Sequence, residues 1–291
     1  MALQNYFSPK TVEEAISLLS QYGDKARVIS GGTDFLVQMK RQEPLPDYLI
    51  SLGGIHELNY IRYDEAKGLR VGALTPIGDI AVSPLVGKHF SILAQAAGML
   101  GTPAIRNQAT LGGNLCNAAP SADTASPLFV LEAKAKIAGP GGEKIVPIEN
   151  FFVGPGQTIL EKSHMLIEIQ ISDLQPHSGA AYLKQKRREG ADIAVVGVAA
   201  LVVLEEGILK DVRIALGAVA PTPVRARKAE GILKGKKLDP QLLEETGQAA
   251  CNESMPIDDI RGSADYRRKL VAALTKRAVT QAVFQQQREV S

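Results

Sequence analysis

Residues 110–123 read TLGGNLCNAAPSAD, a double glycine set among small polar side chains. The side chains of Thr110, Asn114 and Ser121 can hydrogen-bond to phosphate or ribose oxygens, and the carboxylate of Asp123 can accept a hydrogen bond from a sugar hydroxyl. A long surface loop ordered by Asn and Ser side chains is the other interpretation. A structureless loop of this length is uncommon inside a compact domain unless it is functional. The segment therefore predicts a nucleotide site.

A second double glycine occurs earlier, in residues 28–36, which read VISGGTDFL. A strand that enters Gly31-Gly32 can turn sharply and approach a ligand closely. The free N–H groups of such a turn form an anion-binding concavity. A plain strand–turn–helix with Asp34 as the helix cap explains the same residues about equally well, because a double glycine alone is a weak signal. Two such segments in one domain predict two backbone cradles for one diphosphate.

The composition excludes several function classes. The formal net charge is only +2, whereas a dedicated nucleic-acid binder is usually strongly basic. Two distant cysteines and four scattered histidines predict neither a disulfide framework nor a metal site on this chain. The sequence contains no G-x-G-x-x-G after a strand, no Walker A sequence, no G-x-S-x-G elbow and no H-E-x-x-H. A bound dinucleotide would therefore need a fold other than the Rossmann fold.

No targeting or spanning segment is expected. Residues 1–15 contain no basic region followed by an apolar one, which a signal peptide requires. The longest apolar run, residues 193–204, is too short to cross a bilayer. We expect a cytoplasmic protein that binds neither membrane nor nucleic acid.

Hydrophobic periodicity divides the chain into two parts. The first part alternates short strands with helices, and its Gly-Pro-Gly-Gly turn between Ala135 and Pro147 predicts a hairpin. The stretch 101–124 is glycine-rich and polar. The second part begins after a polar break at residues 172–178 and reads as strands followed by helices, which is typical of an α+β domain. Its predicted strands are 180–188, 193–204 and 209–219, and its last predicted helix is 270–287.

Three features in fixed order carry a resemblance to a known family. They are SGGTD at 30–34, IRN at 105–107 followed by TLGGN at 110–114, and Asp123 nine residues further on. The chain resembles, over nearly its whole length, the FAD-binding medium subunit of molybdenum hydroxylases, the xanthine dehydrogenase and carbon monoxide dehydrogenase family. The second motif is the more specific, because its length, order and spacing all match.

The resemblance implies an α+β fold with two domains. Residues 1–174 would form an FAD-binding domain of the vanillyl-alcohol-oxidase (PCMH) type, with two subdomains that divide near residue 55. Residues 175–291 would form a C-terminal α+β domain with an antiparallel sheet and helices.

The resemblance also implies which residues hold FAD. The first glycine segment would wrap the diphosphate and the second would form another cradle. Asp123 would bind an FAD hydroxyl, Leu166 would pack against the flavin and Lys184 would lie near the isoalloxazine ring. The implied cofactor-binding residues are Val28, Ile29, Ser30, Gly31, Gly32, Thr33, Asp34, Phe35, Leu100, Thr110, Leu111, Gly112, Gly113, Asn114, Asp123, Leu166 and Lys184.

Two of these neighbourhoods have alternative interpretations. A positive charge at Lys184 would stabilise the anionic reduced flavin. Its position beside the basic run 186–188 by itself favours a solvated strand residue, or a surface that faces a partner subunit. Cys116 is interpreted as a small buried residue rather than a redox group. Because only Cys116 and Cys251 are present, the extra four-cysteine cluster of the 4-hydroxybenzoyl-CoA reductase branch is expected to be absent.

The implied function is that of an oxidoreductase subunit with no catalytic acid, base or nucleophile of its own. Electrons would pass from [2Fe–2S] clusters of a small subunit through FAD to NAD or another acceptor. A large molybdenum cofactor subunit would hydroxylate the substrate, and the assembly would be a dimer of heterotrimers. The alternatives are a flavin-free structural subunit, which would not need Gly112 and Gly113, and a self-sufficient flavin oxidase, for which the sequence offers no acid–base pair.

Overall fold

The computed structural model describes residues 5–41 and 45–289. The chain begins with a small parallel sheet of three strands in the order β1-β3-β2. Its strands and the two helices between them are β1 (Asn5–Phe7), α1 (Val12–Tyr22), β2 (Ala26–Ile29), α2 (Phe35–Lys40) and β3 (Tyr48–Ser51). The strand that the sequence predicts before Gly31-Gly32 is present as β2.

Local hydrogen bonds set the two ends of α1. The hydroxyl of Thr11 accepts from the N–H of Glu14 at 3.2 Å, and the Glu14 carboxylate accepts from the N–H of Lys10 at 2.7 Å. The first bond satisfies a donor that the first helical turn leaves free, and the second holds the backbone just before the helix. At the other end Gly23 adopts a φ of +47° and donates its N–H to the carbonyl of Leu19, which ends the helix.

The second sheet is antiparallel and has five strands in the order β4-β5-β10-β6-β7. A separate pair of short strands, β8 and β9, lies between β7 and β10. The elements of this region are β4 (Ile61–Asp64), β5 (Gly68–Gly72), α3 (Ile77–Val82), α4 (Pro84–His89), α5 (Ser91–Met99), α6 (Pro103–Arg106), α7 (Leu111–Cys116), α8 (Ala125–Val130), β6 (Lys134–Gly139), β7 (Gly142–Pro147), β8 (Phe152–Gly154), β9 (Gln157–Thr158) and β10 (Met165–Ile171). The β6–β7 hairpin matches the predicted turn.

The glycine-rich stretch 101–124 is more regular than the sequence predicts. It contains α6 and α7, each of which begins after a threonine. The hydroxyl of Thr102 accepts from the N–H of Ile105, and that of Thr110 accepts from the N–H of Gly113. The interpretation of the second double glycine as a loop or turn is therefore wrong, because side-chain capping stabilises a short helix there.

The third sheet is also antiparallel, with four strands in the order β11-β12-β13-β14, and the last helices follow it. Its elements are β11 (Ser178–Gln185), β12 (Val196–Glu205), β13 (Ile208–Gly217), β14 (Val224–Arg225), α9 (Arg227–Leu233), α10 (Pro240–Glu253) and α11 (Ala264–Glu289). The three predicted strands are present, but residues 193–195 lie outside β12. Val195 donates its N–H to Gln185 O at 2.8 Å, which closes a loop between the strands.

The main hydrophobic core extends from the second sheet to the third. It includes Leu69 and Ile169 of the second sheet and Tyr182 and Leu201 of the third. Helix α8, buried along its whole length, packs against β12 and β13 within this core. The core therefore fixes the segment just before α8, residues 117–124, against the third sheet. No helix within residues 5–41 and 45–289 is long and apolar enough to cross a membrane.

Candidate functional site

A cavity of about 1110 Å³ opens where β2 ends, and it extends along α7 to the loop between β11 and β12. It brings together most of the sequence-predicted site residues, namely Val28, Ile29, Ser30, Gly31, Gly32, Thr33, Asp34, Phe35, Leu100, Thr110, Gly112, Gly113, Asn114, Asp123 and Leu166. Two predicted residues do not line it. Leu111 is fully buried in the main core, and Lys184 lies beside the lining residue Asp123.

The first glycine segment presents backbone donors to this cavity. Gly32 adopts a φ of +74°, a conformation that glycine takes without strain. No described residue accepts a hydrogen bond from the N–H groups of residues 31–34. The interpretation of Asp34 as a helix cap is wrong, because its side chain makes no capping bond, and burial raises the pKa of this carboxyl. The loop therefore has the free donors that an anion needs.

The second glycine segment differs, because its N–H groups already have acceptors. Leu111 donates to Thr75 O at 3.0 Å and Gly112 donates to Ala73 O at 2.8 Å. Gly113 donates to the hydroxyl of Thr110 at 3.0 Å. The prediction of a second cradle of free N–H groups is therefore wrong. This segment offers the cavity side-chain groups and a surface without Cβ atoms.

Packing within the chain explains two of the glycines. A Cβ at Gly31 would lie 1.9 Å from Gln108 O, and one at Gly112 would lie 2.7 Å from Ala73 O. The fold itself requires Gly112, so the argument that a structural subunit would not need it is wrong. A Cβ at Gly113 would instead meet two hydroxyl oxygens of the cavity wall, those of Ser30 at 2.8 Å and Thr110 at 2.9 Å.

Hydroxyl groups join the segments that form the cavity wall. The side-chain oxygens of Ser30 and Thr110 lie 2.8 Å apart, so one hydrogen bond links the first segment to the start of α7. The fully buried Thr124 donates to Asn114 Oδ1 at 2.7 Å. Because this bond uses the amide oxygen of Asn114, its NH₂ group is left as the donor available to a ligand.

Asp123 is a buried acceptor at the cavity, and each of its two carboxylate oxygens has a hydrogen-bond donor. Lys184 Nζ lies 2.7 Å from one of its oxygens, and the hydroxyl of Tyr182 donates to the other at 2.9 Å. Burial raises the pKa of the Asp123 carboxyl, an effect that its bonds to Lys184 and Tyr182 oppose. The side chain of Lys184 is only 2% exposed. The interpretation of Lys184 as a solvated residue is therefore wrong.

Five arginines that the sequence does not single out as site residues also line the cavity: Arg27, Arg41, Arg187, Arg188 and Arg261. The last three belong to loops of the third-sheet region, and Arg187 Nη1 donates to Ile260 O at 2.8 Å. The sequence analysis considers the basic run 186–188 as a surface that faces a partner subunit, and two of its members, Arg187 and Arg188, line the cavity, with the Arg188 side chain still 76% exposed. The sequence suggests a site role for Arg187 and Arg188 only through their proximity to Lys184. No sequence pattern predicts such a role for Arg27, Arg41 or Arg261.

Cys116 also lines the cavity. Burial raises the pKa of the Cys116 thiol to about 12, which keeps it protonated and unreactive. Within the described ranges, 5–41 and 45–289, no cluster of three or more His, Cys, Asp or Glu side chains is arranged to hold a metal ion.

Two family models match consecutive parts of the chain. Residues 2–173 match the FAD binding domain in molybdopterin dehydrogenase, and residues 180–282 match the CO dehydrogenase flavoprotein C-terminal domain.

Individual relatives match over nearly their full length. The chain is 34% identical over 281 residues to the putative xanthine dehydrogenase FAD-binding subunit of Escherichia coli (strain K12), covering 96% of both chains. It is 34% identical over 277 residues to the carbon monoxide dehydrogenase medium chain of Hydrogenophaga pseudoflava, covering 95% of this chain and 96% of that one. The solved structure of carbon monoxide dehydrogenase from Hydrogenophaga pseudoflava superposes with a TM-score of 0.93 at 35% identity, covering 97% of both chains. The chain therefore belongs to the FAD-binding subunits of the molybdenum hydroxylase family, the oxidoreductase family of xanthine and carbon monoxide dehydrogenases.

Proposed function

We propose that this subunit binds one FAD in the cavity and carries electrons from [2Fe–2S] clusters of a small partner subunit to NAD or another acceptor. The organic substrate is hydroxylated on a large subunit that holds the molybdenum cofactor. The observation that carries the proposal is the convergence of free backbone amides, arginines and a buried acceptor in one cavity. Its volume of about 1110 Å³ is slightly above the usual range of roughly 300–1,000 Å³ for ligand pockets, which leaves room for a dinucleotide.

Each part of the cavity suits a different part of FAD. The free N–H groups of residues 31–34 suit the diphosphate, and the arginines add charge that favours it. The carboxylate of Asp123 suits a hydroxyl group, and the apolar Leu100 and Leu166 suit the flavin ring. FAD supplies the redox chemistry when it is bound. The protein binds it, orients it and sets the charge around it.

Lys184 acts through Asp123 in this arrangement. Its ammonium group also donates to Met99 O at 3.2 Å, so two acceptors hold it in place. The carboxylate of Asp123 offsets its positive charge at short range. We therefore propose that Lys184 contributes to the flavin environment as half of an ion pair.

The first experiment is the visible absorption spectrum of the purified chain, with identification of any cofactor that heat releases. Stoichiometric FAD is the expected result. FMN would contradict the assignment of residues 31–34 to a diphosphate, because FMN has one phosphate. A chain that binds no flavin alone and none in the co-expressed complex would favour the flavin-free structural subunit. Turnover of an organic substrate by the isolated chain would favour the self-sufficient oxidase.

A substitution at Gly113 tests the place of the cofactor. Gly113→Asp puts a carboxylate on the cavity wall, where the fold leaves room only against the Ser30 and Thr110 hydroxyls. We expect FAD affinity to fall about tenfold or more, because the new carboxylate repels the negatively charged diphosphate at short range. The measurement is flavin fluorescence during titration, together with the melting temperature without FAD.

Gly87→Asp is the matched control for this substitution. Gly87 lies in α4, and a Cβ there would have nothing within 4 Å. The control should keep wild-type affinity. Wild-type affinity in a folded Gly113→Asp protein would place FAD elsewhere.

We further propose that the chain has two domains, 1–174 and 175–291, and works in the cytoplasm within a dimer of heterotrimers. The first two sheets lie before residue 175 and the third lies after it. The relatives named as medium chains imply a smaller and a larger partner. Co-purification of three different chains in equal amounts, with a mass of twice their sum, is the expected result.

A further inference from the structure

The hydroxyl group of Tyr182 is buried beside the cavity without lining it. The side chain is one of the largest fully buried ones in the described part of the chain. Its hydroxyl donates to Asp123 Oδ1 at 2.9 Å, and Asp123 lines the cavity. We propose that Tyr182 is a positioning residue for FAD, which it serves by fixing the Asp123 carboxylate in the orientation that accepts a cofactor hydroxyl. This inference rests on the proposed function.

The geometry of β11 explains how the carboxylate is held. Side chains two residues apart on a strand lie on the same face. Tyr182 and Lys184 therefore approach Asp123 from one strand, and each takes a different oxygen, at 2.9 Å and 2.7 Å. Two donors on two oxygens fix both the position and the plane of the carboxylate. One donor alone would leave the group free to rotate.

The surroundings of Tyr182 keep its ring in one place. Its backbone N–H donates to Gln95 Oε1 of α5 at 3.2 Å. Across the sheet, a Cβ at Gly197 would lie 2.8 Å from the Tyr182 hydroxyl, so this glycine makes room for the phenol oxygen. The fold thus accommodates a hydroxyl group at a buried position where phenylalanine would fill nearly the same volume.

The chemistry of the phenol makes it a donor only. Burial raises the pKa of Tyr182 well above its usual value, and the nearby Asp123 charge adds to this effect. The phenol therefore stays protonated and donates its hydrogen to the carboxylate. The other groups that act on Asp123 are the cations of Lys184 and Lys186. The Tyr182 bond is the one neutral hydrogen bond in this set, so it can be removed without changing a formal charge.

The test is Tyr182→Phe, measured as the FAD dissociation constant across about pH 5 to 8. Loss of one positioning hydrogen bond should weaken FAD binding about three- to tenfold. Because the Tyr182 bond favours the ionised carboxylate, its loss should also move the acid limit of binding to higher pH. A merely structural role would lower the melting temperature of the FAD-free protein without moving this limit.

Tyr63→Phe is the matched control. Tyr63 makes the same type of bond, from its hydroxyl to Asp173 Oδ2 at 2.9 Å, on the exposed surface. This variant should bind FAD as the wild type does.

A double substitution supplies the second test. If Tyr182 acts through Asp123, then adding Tyr182→Phe to Asp123→Ala should change FAD affinity less than about twofold.

Two outcomes would overturn the inference: unchanged affinity and acid limit in Tyr182→Phe, or a full additional loss in the double variant. Failure of the wild-type protein to bind FAD would instead overturn the proposed function.

Discussion

Two segments of this chain carry the same Gly-Gly pair, yet they meet the cavity in different ways. Residues 31–34 leave a strand with Gly32 at a φ of +74°, and their N–H groups have no acceptor among the described residues. Residues 111–114 form the first turn of a helix, and their N–H groups bond to the loop at 73–75 and to Thr110. The first segment offers donors, whereas the second offers a side-chain surface.

The difference shows that a double glycine has more than one physical cause. Positive φ accounts for Gly32, while close approach to another backbone carbonyl accounts for Gly31 and Gly112. Only Gly113 meets the side-chain oxygens of the cavity wall. Positive φ and close packing are properties of the protein alone. The free energies of unfolding of glycine variants without FAD can therefore distinguish them.

The largest effect is expected from Gly31→Ala. Its Cβ would lie 1.9 Å from Gln108 O, so the backbone of one segment must move. We expect a loss of about 3 kcal/mol or more in the free energy of unfolding, at the upper end of overpacking penalties. Gly32→Ala should lose about 1–2 kcal/mol, because it meets only a positive φ and a flexible Ile29 side chain. Urea denaturation of the FAD-free proteins measures both.

Gly87→Ala is the control for this pair, since its Cβ would have open space around it on a helix. It should keep or slightly raise the free energy of unfolding. Equal losses at Gly31 and Gly32 would show that close packing against Gln108 is not what requires the first glycine.

An intermediate effect is expected from Thr110→Val. This substitution removes the cap of α7 and the hydrogen bond to Ser30 that joins the two segments. We expect a loss of about 1–2 kcal/mol in the free energy of unfolding. Thr102→Val is the matched control, because Thr102 caps α6 without a link to Ser30. Its loss should be smaller, and equal losses would mean that the Ser30–Thr110 bond contributes nothing.

Most helices and strands of the fold can be predicted from the sequence. Apolar segments after the polar break at 172–178 predict β11 and β13, and the Gly-Pro-Gly-Gly turn predicts the β6–β7 hairpin. The composition of 101–124 predicts a loop, whereas the threonine caps of α6 and α7 make the segment partly helical. Thr102 with Pro103 after it is a helix start that the sequence itself displays. The last helix begins at Ala264 rather than at 270. Hydrophobic periodicity does not predict its first turns, because residues 264–269 carry no regular apolar spacing.

Short motifs predict the parts of the site that are neighbours in sequence, and the family resemblance adds the distant Leu100 and Leu166, which line the same cavity. The glycine segments and Asp123 fall within short motifs that the family resemblance covers. The arginine lining is different, because Arg27 and Arg261 reach one cavity from distant parts of the chain. The bonds from Tyr182 and Lys184 to Asp123 likewise span about sixty residues, and no local periodicity encodes them. Leu111 lies on the side of α7 that packs into the main core, and so it does not line the cavity.

The smallest effect is expected from Asp34→Asn in the first segment. Burial raises the pKa of Asp34, and its side chain caps nothing, so the folded state disfavours its ionised form. The stability of the wild type is therefore full below the usual pKa of 3.8 and falls as pH rises through the folded value. Asp34→Asn should raise the melting temperature of the FAD-free protein at pH 7, and the gain should vanish near pH 3.

Asp192 also lines the cavity, and its pKa is shifted in the opposite direction to that of Asp34. It therefore provides the matched comparison for Asp34→Asn. Although burial opposes it, hydrogen bonds from the N–H groups of Ile193, Arg187 and Arg188 and the charge of Arg188 lower the Asp192 pKa. Its contribution is present above the unfolded pKa and is lost as pH falls. Asp192→Asn should therefore lower the melting temperature at pH 7. If both variants shift in the same direction, stability at this cavity is not governed by the contrast between Asp34, whose side chain has no hydrogen bond to a described residue, and the bonded Asp192.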